Sequence, residues 1–198
     1  MTPPQGIVSI RDRQQPQAVR QILPSAVMGT LLFVFTESML FAGLISAHTV
    51  VRASGLPWPP PGQPRLPEIA TLFNTAILLF SGGAMVIARL AWKRSHAEAR
   101  TPLLVALLCG AAFVVLQGRE WVALIAHGLT LTSSPYASFF YVIVGCHALH
   151  ALAAILALGW AWRRMGENRL TPAQFGAVQV FWFFVVLVWP VIYFRVYL

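Results

Sequence analysis

Five long apolar runs, separated by short polar or proline-rich breaks, set the pattern of this chain. They predict helices over about 25–53, 68–94, 101–127, 137–162 and 172–198. Each run is longer than the ~20 residues that cross a hydrocarbon core ~30 Å thick. The breaks differ in kind. GLPWPPPGQPRLPE, Gly55 to Glu68, holds six prolines, so it predicts a stiff extended loop, with Trp58 at the membrane interface. Ala88 to Arg100 is basic and polar, Gly128 to Tyr136 is short and uncharged, and RRMGENR follows the fourth run. Thr101–Pro102 and Thr171–Pro172 each put a capping threonine before a proline, a helix-start signal. The expected fold is an all-α membrane protein. A polar tail over 1–23 precedes a five-helix transmembrane domain over 24–198, with no internal repeat.

Composition agrees with that pattern. The chain is 58% hydrophobic and 10% charged, against about 45–50% and ~25% in soluble domains. The tail carries Arg11, Arg13 and Arg20 and lacks the apolar core of a cleavable signal peptide. A net charge of +8 would suit nucleic acid in a soluble protein. Here the basic residues gather in the tail and the second and fourth connections, leaving Arg52, Arg65 and Arg195 on the other side. That bias predicts a cytoplasmic N-terminus, a periplasmic C-terminus and no nucleic-acid partner. Cys109 and Cys146 lie inside apolar runs without metal-ligand spacing, so they read as packed thiols.

The chemistry is confined to a few polar residues at membrane depth. Glu37 lies about 18 Å along the first helix, near mid-membrane. A carboxylate there costs at least ~2.5 kcal/mol, so it is protonated, paired or functional. His147 and His150 are three apart, on one face of the fourth helix and at comparable depth, which makes a buried Glu–His contact geometrically possible. As a haem or copper pair they would want further ligands, and only His48, far from this depth, remains in the apolar core. The plainer role is interhelical hydrogen bonding, worth about 0.6–2 kcal/mol each. Asn74 in the second helix and Gln117 and Glu120 in the third complete the interior polar set. Arg119, turned about 100° from Glu120, is a candidate for a lipid phosphate, another subunit or snorkelling. His48 and Trp121 join it as candidate lipid contacts. No catalytic residue or metal site is expected. No P-loop, Rossmann glycine pattern or Ser/His/Asp set is present. A small proton channel using Glu37 and the histidines is an alternative of another class, disfavoured by the lack of an inverted repeat.

Several segments, taken in order, resemble subunit III of the haem-copper oxidases. LFVFTESMLFAGLISAH resembles that family's helix with a membrane-embedded Glu, and FNTAILLFSGGAMVIA its Asn-Thr helix. LQGREW, YASFFYVIVGCHALHALAAI and FWFFVVLVWPVIYF resemble its Gln/Glu stretch, its Gly-x-His-x-x-His helix and its aromatic last helix. The resemblance runs from Met28 to Leu198. Two departures stand out. The longer members have seven spans and this chain lacks the first two. Their last helix usually carries a His and an Asp where Phe183 and Val186 stand here. The resemblance implies a non-catalytic accessory subunit in a bacterial inner membrane, beside catalytic subunit I and other respiratory subunits. Haem and copper are then expected in the partner subunits, no cofactor in this chain, and phospholipid bound to it. It implies stabilisation of subunit I and, as further options, guidance of dioxygen or support of proton uptake. Glu37 matches the family's carbodiimide-reactive carboxylate, whose reactivity fits a protonated acid in apolar surroundings. The same resemblance extends to subunits accompanying quinol oxidases and nitric oxide reductases.

Overall fold

The structure, a computed structural model, describes residues 24–55 and 57–198. The polar tail, 1–23, lies outside the described residues. Five helices follow in order: α1 Ser25–Arg52, α2 Glu68–Trp92, α3 His96–Ala126, α4 Pro135–Gly166 and α5 Pro172–Ile192. All five are long and apolar enough to cross a membrane, and no strand occurs among the described residues.

The helix ends are set by local chemistry. Thr171 and Gln174 form a reciprocal capping box, with Pro172 at the first helical position. Ser134 caps α4 ahead of Pro135. At the far ends, Gly128 after α3 and Asn168 after α4 take positive φ, 87° and 55°. The next residue in each case donates five back, Leu129 N–H to the Leu124 carbonyl and Arg169 N–H to the Arg164 carbonyl.

Three boundaries differ from the sequence expectation, one of them the end of α4, which runs to Gly166 and not to 162. The third helix begins at His96 and not at Thr101, because the Ser95 hydroxyl accepts from the N–H groups of Ala97 and Glu98 at 3.2 and 3.4 Å. Pro102 then sits inside α3 and forfeits one backbone bond. The fifth helix is α-helical only to Ile192; Tyr193–Tyr197 form a π-helical turn that buries Tyr193, Val196 and Tyr197.

Helices α2, α3, α4 and α5 pack in a ring, each against the next and α5 back against α2. Trp182 and Trp189 of α5 are fully buried within it. The ring closes tightly because α2 and α3 present glycine to α5. A Cβ on Gly110 would stand 2.4 Å from the Trp182 ring, and one on Gly82 would stand 2.9 Å from Val186. Helix α1 lies outside the ring against α5 and α4, and buries only Phe41 and His48.

Candidate functional site

Helix α1 meets α4 through one polar contact at mid-membrane. His150 Nε2 and Glu37 Oε2 are 3.0 Å apart, and both side chains are largely enclosed, 14% and 20% exposed. The other ring nitrogen, Nδ1, lies 2.8 Å from the Cys146 carbonyl one turn back. A carbonyl only accepts, so Nδ1 carries a hydrogen. Nε2 is then a bare acceptor unless the ring is doubly protonated. Two arrangements satisfy the 3.0 Å contact: a carboxylic acid donating to neutral His150, or an imidazolium donating to a carboxylate. Each has one proton on the Glu–His axis and no net charge. Removing that proton would set a carboxylate against a nitrogen lone pair in apolar surroundings, an arrangement a low dielectric penalises. A single proton on the Glu–His axis satisfies the contact without net charge.

The surroundings of the pair are aromatic. Ring centroids of Phe33, Phe41, Phe181 and Phe184 lie 5.5–6.4 Å from that of His150. Thr36 and Ser38, which flank Glu37, donate to carbonyls of their own helix, each at 2.7 Å. Of the two histidines that sequence spacing offered to Glu37, His150 is the partner. His147 turns inward, its ring centroid 4.9 Å from that of Trp189, and its Nε2 has no hydrogen-bond partner among the described residues.

Asn74, Gln117 and Glu120 form a second, separate cluster where α2 begins and α5 ends. Asn74 Nδ2 lies 3.2 Å from both the Phe113 carbonyl and Gln117 Oε1. Gln117 Nε2 donates to Glu120 Oε2 at 3.1 Å and to Tyr197 Oη at 2.9 Å. The Thr71 hydroxyl, 2.9 Å from the same Glu120 oxygen, adds a third bond. Nearby, Trp189 Nε1 donates to Thr75 Oγ1 at 2.9 Å. This network ties α2, α3 and the terminal turn together. The interior polar set of the sequence thus divides into two sites with no hydrogen bond between them. Thr71 and Thr75 were missed, although with Asn74 they form an i, i+3, i+4 polar face on an apolar helix. Nothing in the sequence pointed to Tyr197.

The candidate lipid contacts separate as well. Arg119 is exposed. Trp121 is half-buried, 5.6 Å from the Tyr141 ring between centroids. His48 is only 2% exposed, closed in by Trp58 of the proline loop and by Phe139. That burial leaves it little surface to offer a lipid, and Trp58 packs on it. Val186 is buried against Gly82 and Phe183 is half-buried, so these two positions serve packing.

Among the described residues no group of three or more His, Cys, Asp or Glu side chains could hold a metal ion. Both His150 nitrogens are already engaged, which withdraws that ring from ligation.

Comparison with known proteins identifies the family. A cytochrome c oxidase subunit III family profile matches residues 14–198. Cytochrome c oxidase subunit 3 of Corynebacterium diphtheriae is 34% identical over 196 residues, covering 94% of this chain and 95% of that protein. The probable cytochrome c oxidase subunit 3 proteins of Mycobacterium leprae and Nocardia farcinica are 33% and 31% identical, each covering 86% of both chains. With five spanning helices, an embedded Glu–His pair and a match over nearly its whole length, this chain belongs to the cytochrome c oxidase subunit III family.

Proposed function

We propose that this chain is the non-catalytic subunit III of a bacterial haem-copper terminal oxidase, placed in the inner membrane beside catalytic subunit I. The N-terminus faces the cytoplasm, in line with the charge bias of the connections. The chain stabilises its partner and holds phospholipid, while haem and copper reside in the partner subunits. The observation that carries this reading is the 3.0 Å contact between Glu37 and His150, where an outlying helix meets the bundle. The pair is neutral overall, so it fits the hydrocarbon core, and it fixes the rotation of a helix whose outer face is left for a neighbour.

Affinity purification of the tagged chain from its native membrane, followed by a haem spectrum, tests the proposal. A co-purifying subunit of about a dozen spans with oxidase-type haems is the expected result. Purification of the chain alone, without haem, would sink it. A nitric oxide reductase or quinol oxidase partner would show instead in the haem types and the electron donor.

A further inference from the structure

A polar cavity of about 190 Å³ opens at the end of the bundle opposite the basic second and fourth connections. There the end of α1, the proline loop and the start of α2 meet the start of α4 and the terminal π-turn. Its accessible lining is mostly polar, whereas the grooves between the helices are lined by apolar side chains. Arg52 borders it from before the loop and Arg65 from within the loop. The walls are held by the fold itself. Trp58 packs edge-on against Tyr136, with ring centroids 5.1 Å apart, and Leu66, Tyr136 and Tyr197 are buried. Tyr193 Oη donates to the Glu68 carbonyl at 3.2 Å. Arg52 is aimed by two bonds: Nη2 donates to the Leu198 oxygen at 2.9 Å and Nη1 to the Arg195 carbonyl at 3.5 Å.

A guanidinium carries five N–H groups, so Arg52 keeps donors for a further partner. Arg65 forms no ion pair among the described residues, and Glu68, which lines the same cavity, pairs with neither arginine. Two like charges around one small cavity repel each other, and an anion between them relieves that repulsion. Guanidinium groups match phosphate well, because their planar fork makes paired, charge-assisted N–H bonds to its oxygens. The volume is that of about six waters at ~30 Å³ each, which admits a phosphate group and excludes a helix or strand. Glu68 sets a limit on charge, since a doubly charged group would face its carboxylate. We infer that this cavity is a phosphate-binding site, in which Arg52 and Arg65 hold the group between them. The phosphate comes from a phospholipid head or from solution. The inference gives the lipid binding proposed above a specific contact, but it rests on this chain's own residues, whichever oxidase the chain accompanies.

The test is a cryo-electron map of the native complex, prepared in phosphate-free buffer and again after addition of inorganic phosphate. A tetrahedral peak is expected within ~2.7–2.9 Å of guanidinium nitrogens of both Arg52 and Arg65. Arg65→Gln, a change at an exposed side chain, should abolish it. A peak that survives phosphate-free buffer and runs into acyl-chain density assigns the group to a lipid head. A peak that appears only with inorganic phosphate assigns it to the free anion. No peak in either preparation, a peak unchanged in Arg65→Gln, or a neighbouring subunit's carboxylate between the arginines would overturn the inference. If Arg65→Gln does not assemble, solid-state NMR of the wild-type complex with labelled arginine decides. Dipolar contact between guanidinium nitrogen and phosphorus is expected, and its absence contradicts the site. A complex that carries oxidase haems but no phosphate here would sink this inference and leave the proposed function standing.

Discussion

Helix α1 and the α2–α5 ring are built from equally apolar sequence, yet they are held in opposite ways. The ring is locked by shape: Trp182 fills the space that Gly110 leaves, Val186 closes on Gly82, and Asn74, Gln117 and Glu120 brace its end. Helix α1 has little such interlock. Of its 28 residues two are buried, and Leu32, Phe35 and Met39 are 61–63% exposed. Its one interhelical side-chain bond at mid-membrane is Glu37 to His150. Lipid tails are as apolar as leucine, so exposed apolar residues gain nothing from the hydrophobic effect inside a bilayer. Close packing and hydrogen bonds decide: the ring uses both, while α1 joins its Glu37–His150 bond to limited burial. The ring serves as scaffold, and α1 as a separately fastened helix facing outward.

Breaking the ring should have the largest effect. Gly110→Ala drives a methyl group into Trp182 and should destabilise the chain by about 1–3 kcal/mol, seen as a lower unfolding midpoint in detergent. Adding Trp182→Phe, which removes the clashing edge of the indole, should recover part of that loss. Independent, additive losses would contradict the interlock. Gln117→Leu comes next. It leaves Asn74 and Tyr197 short of partners and removes one bond from Glu120, for about 1–2 kcal/mol, read from the same midpoint.

Glu37→Ala separates the two regions. It should cost about 0.6–2 kcal/mol, confined to α1: a cysteine cross-link between α1 and α4 should slow while the midpoint of the ring holds. A midpoint drop as large as that of Gly110→Ala would show α1 to be part of the scaffold. Arg119→Ala should be the mildest, within about 0.5 kcal/mol, since the side chain is exposed.

The same division explains what the sequence revealed. Five spans are legible because apolar length and capping residues are local properties. The start of α3 is ambiguous in the sequence because Ser95 and Thr101–Pro102 both signal a helix start, and only the bonds made by Ser95 decide between them. His147 and His150 share a face but differ by about 60° around the helix. That angle sends one toward Glu37 and the other toward Trp189, and it depends on the rotation of α4, which spacing does not specify. His48 is enclosed because Trp58 folds over it, which nothing in the proline loop announces. Tyr197 reaches Gln117 across 80 residues, through a turn that departs from α-helical geometry.

The central claim is that Glu37 shares one proton with His150 in a subunit whose assembly does not depend on it. Carbodiimide labelling of the native complex, with the adduct mapped by peptide mass spectrometry, tests this most directly. The account predicts an adduct at Glu37 that disappears in Glu37→Ala while the complex still assembles. Labelling of this chain that persists in Glu37→Ala, or a complex that falls apart, would contradict it.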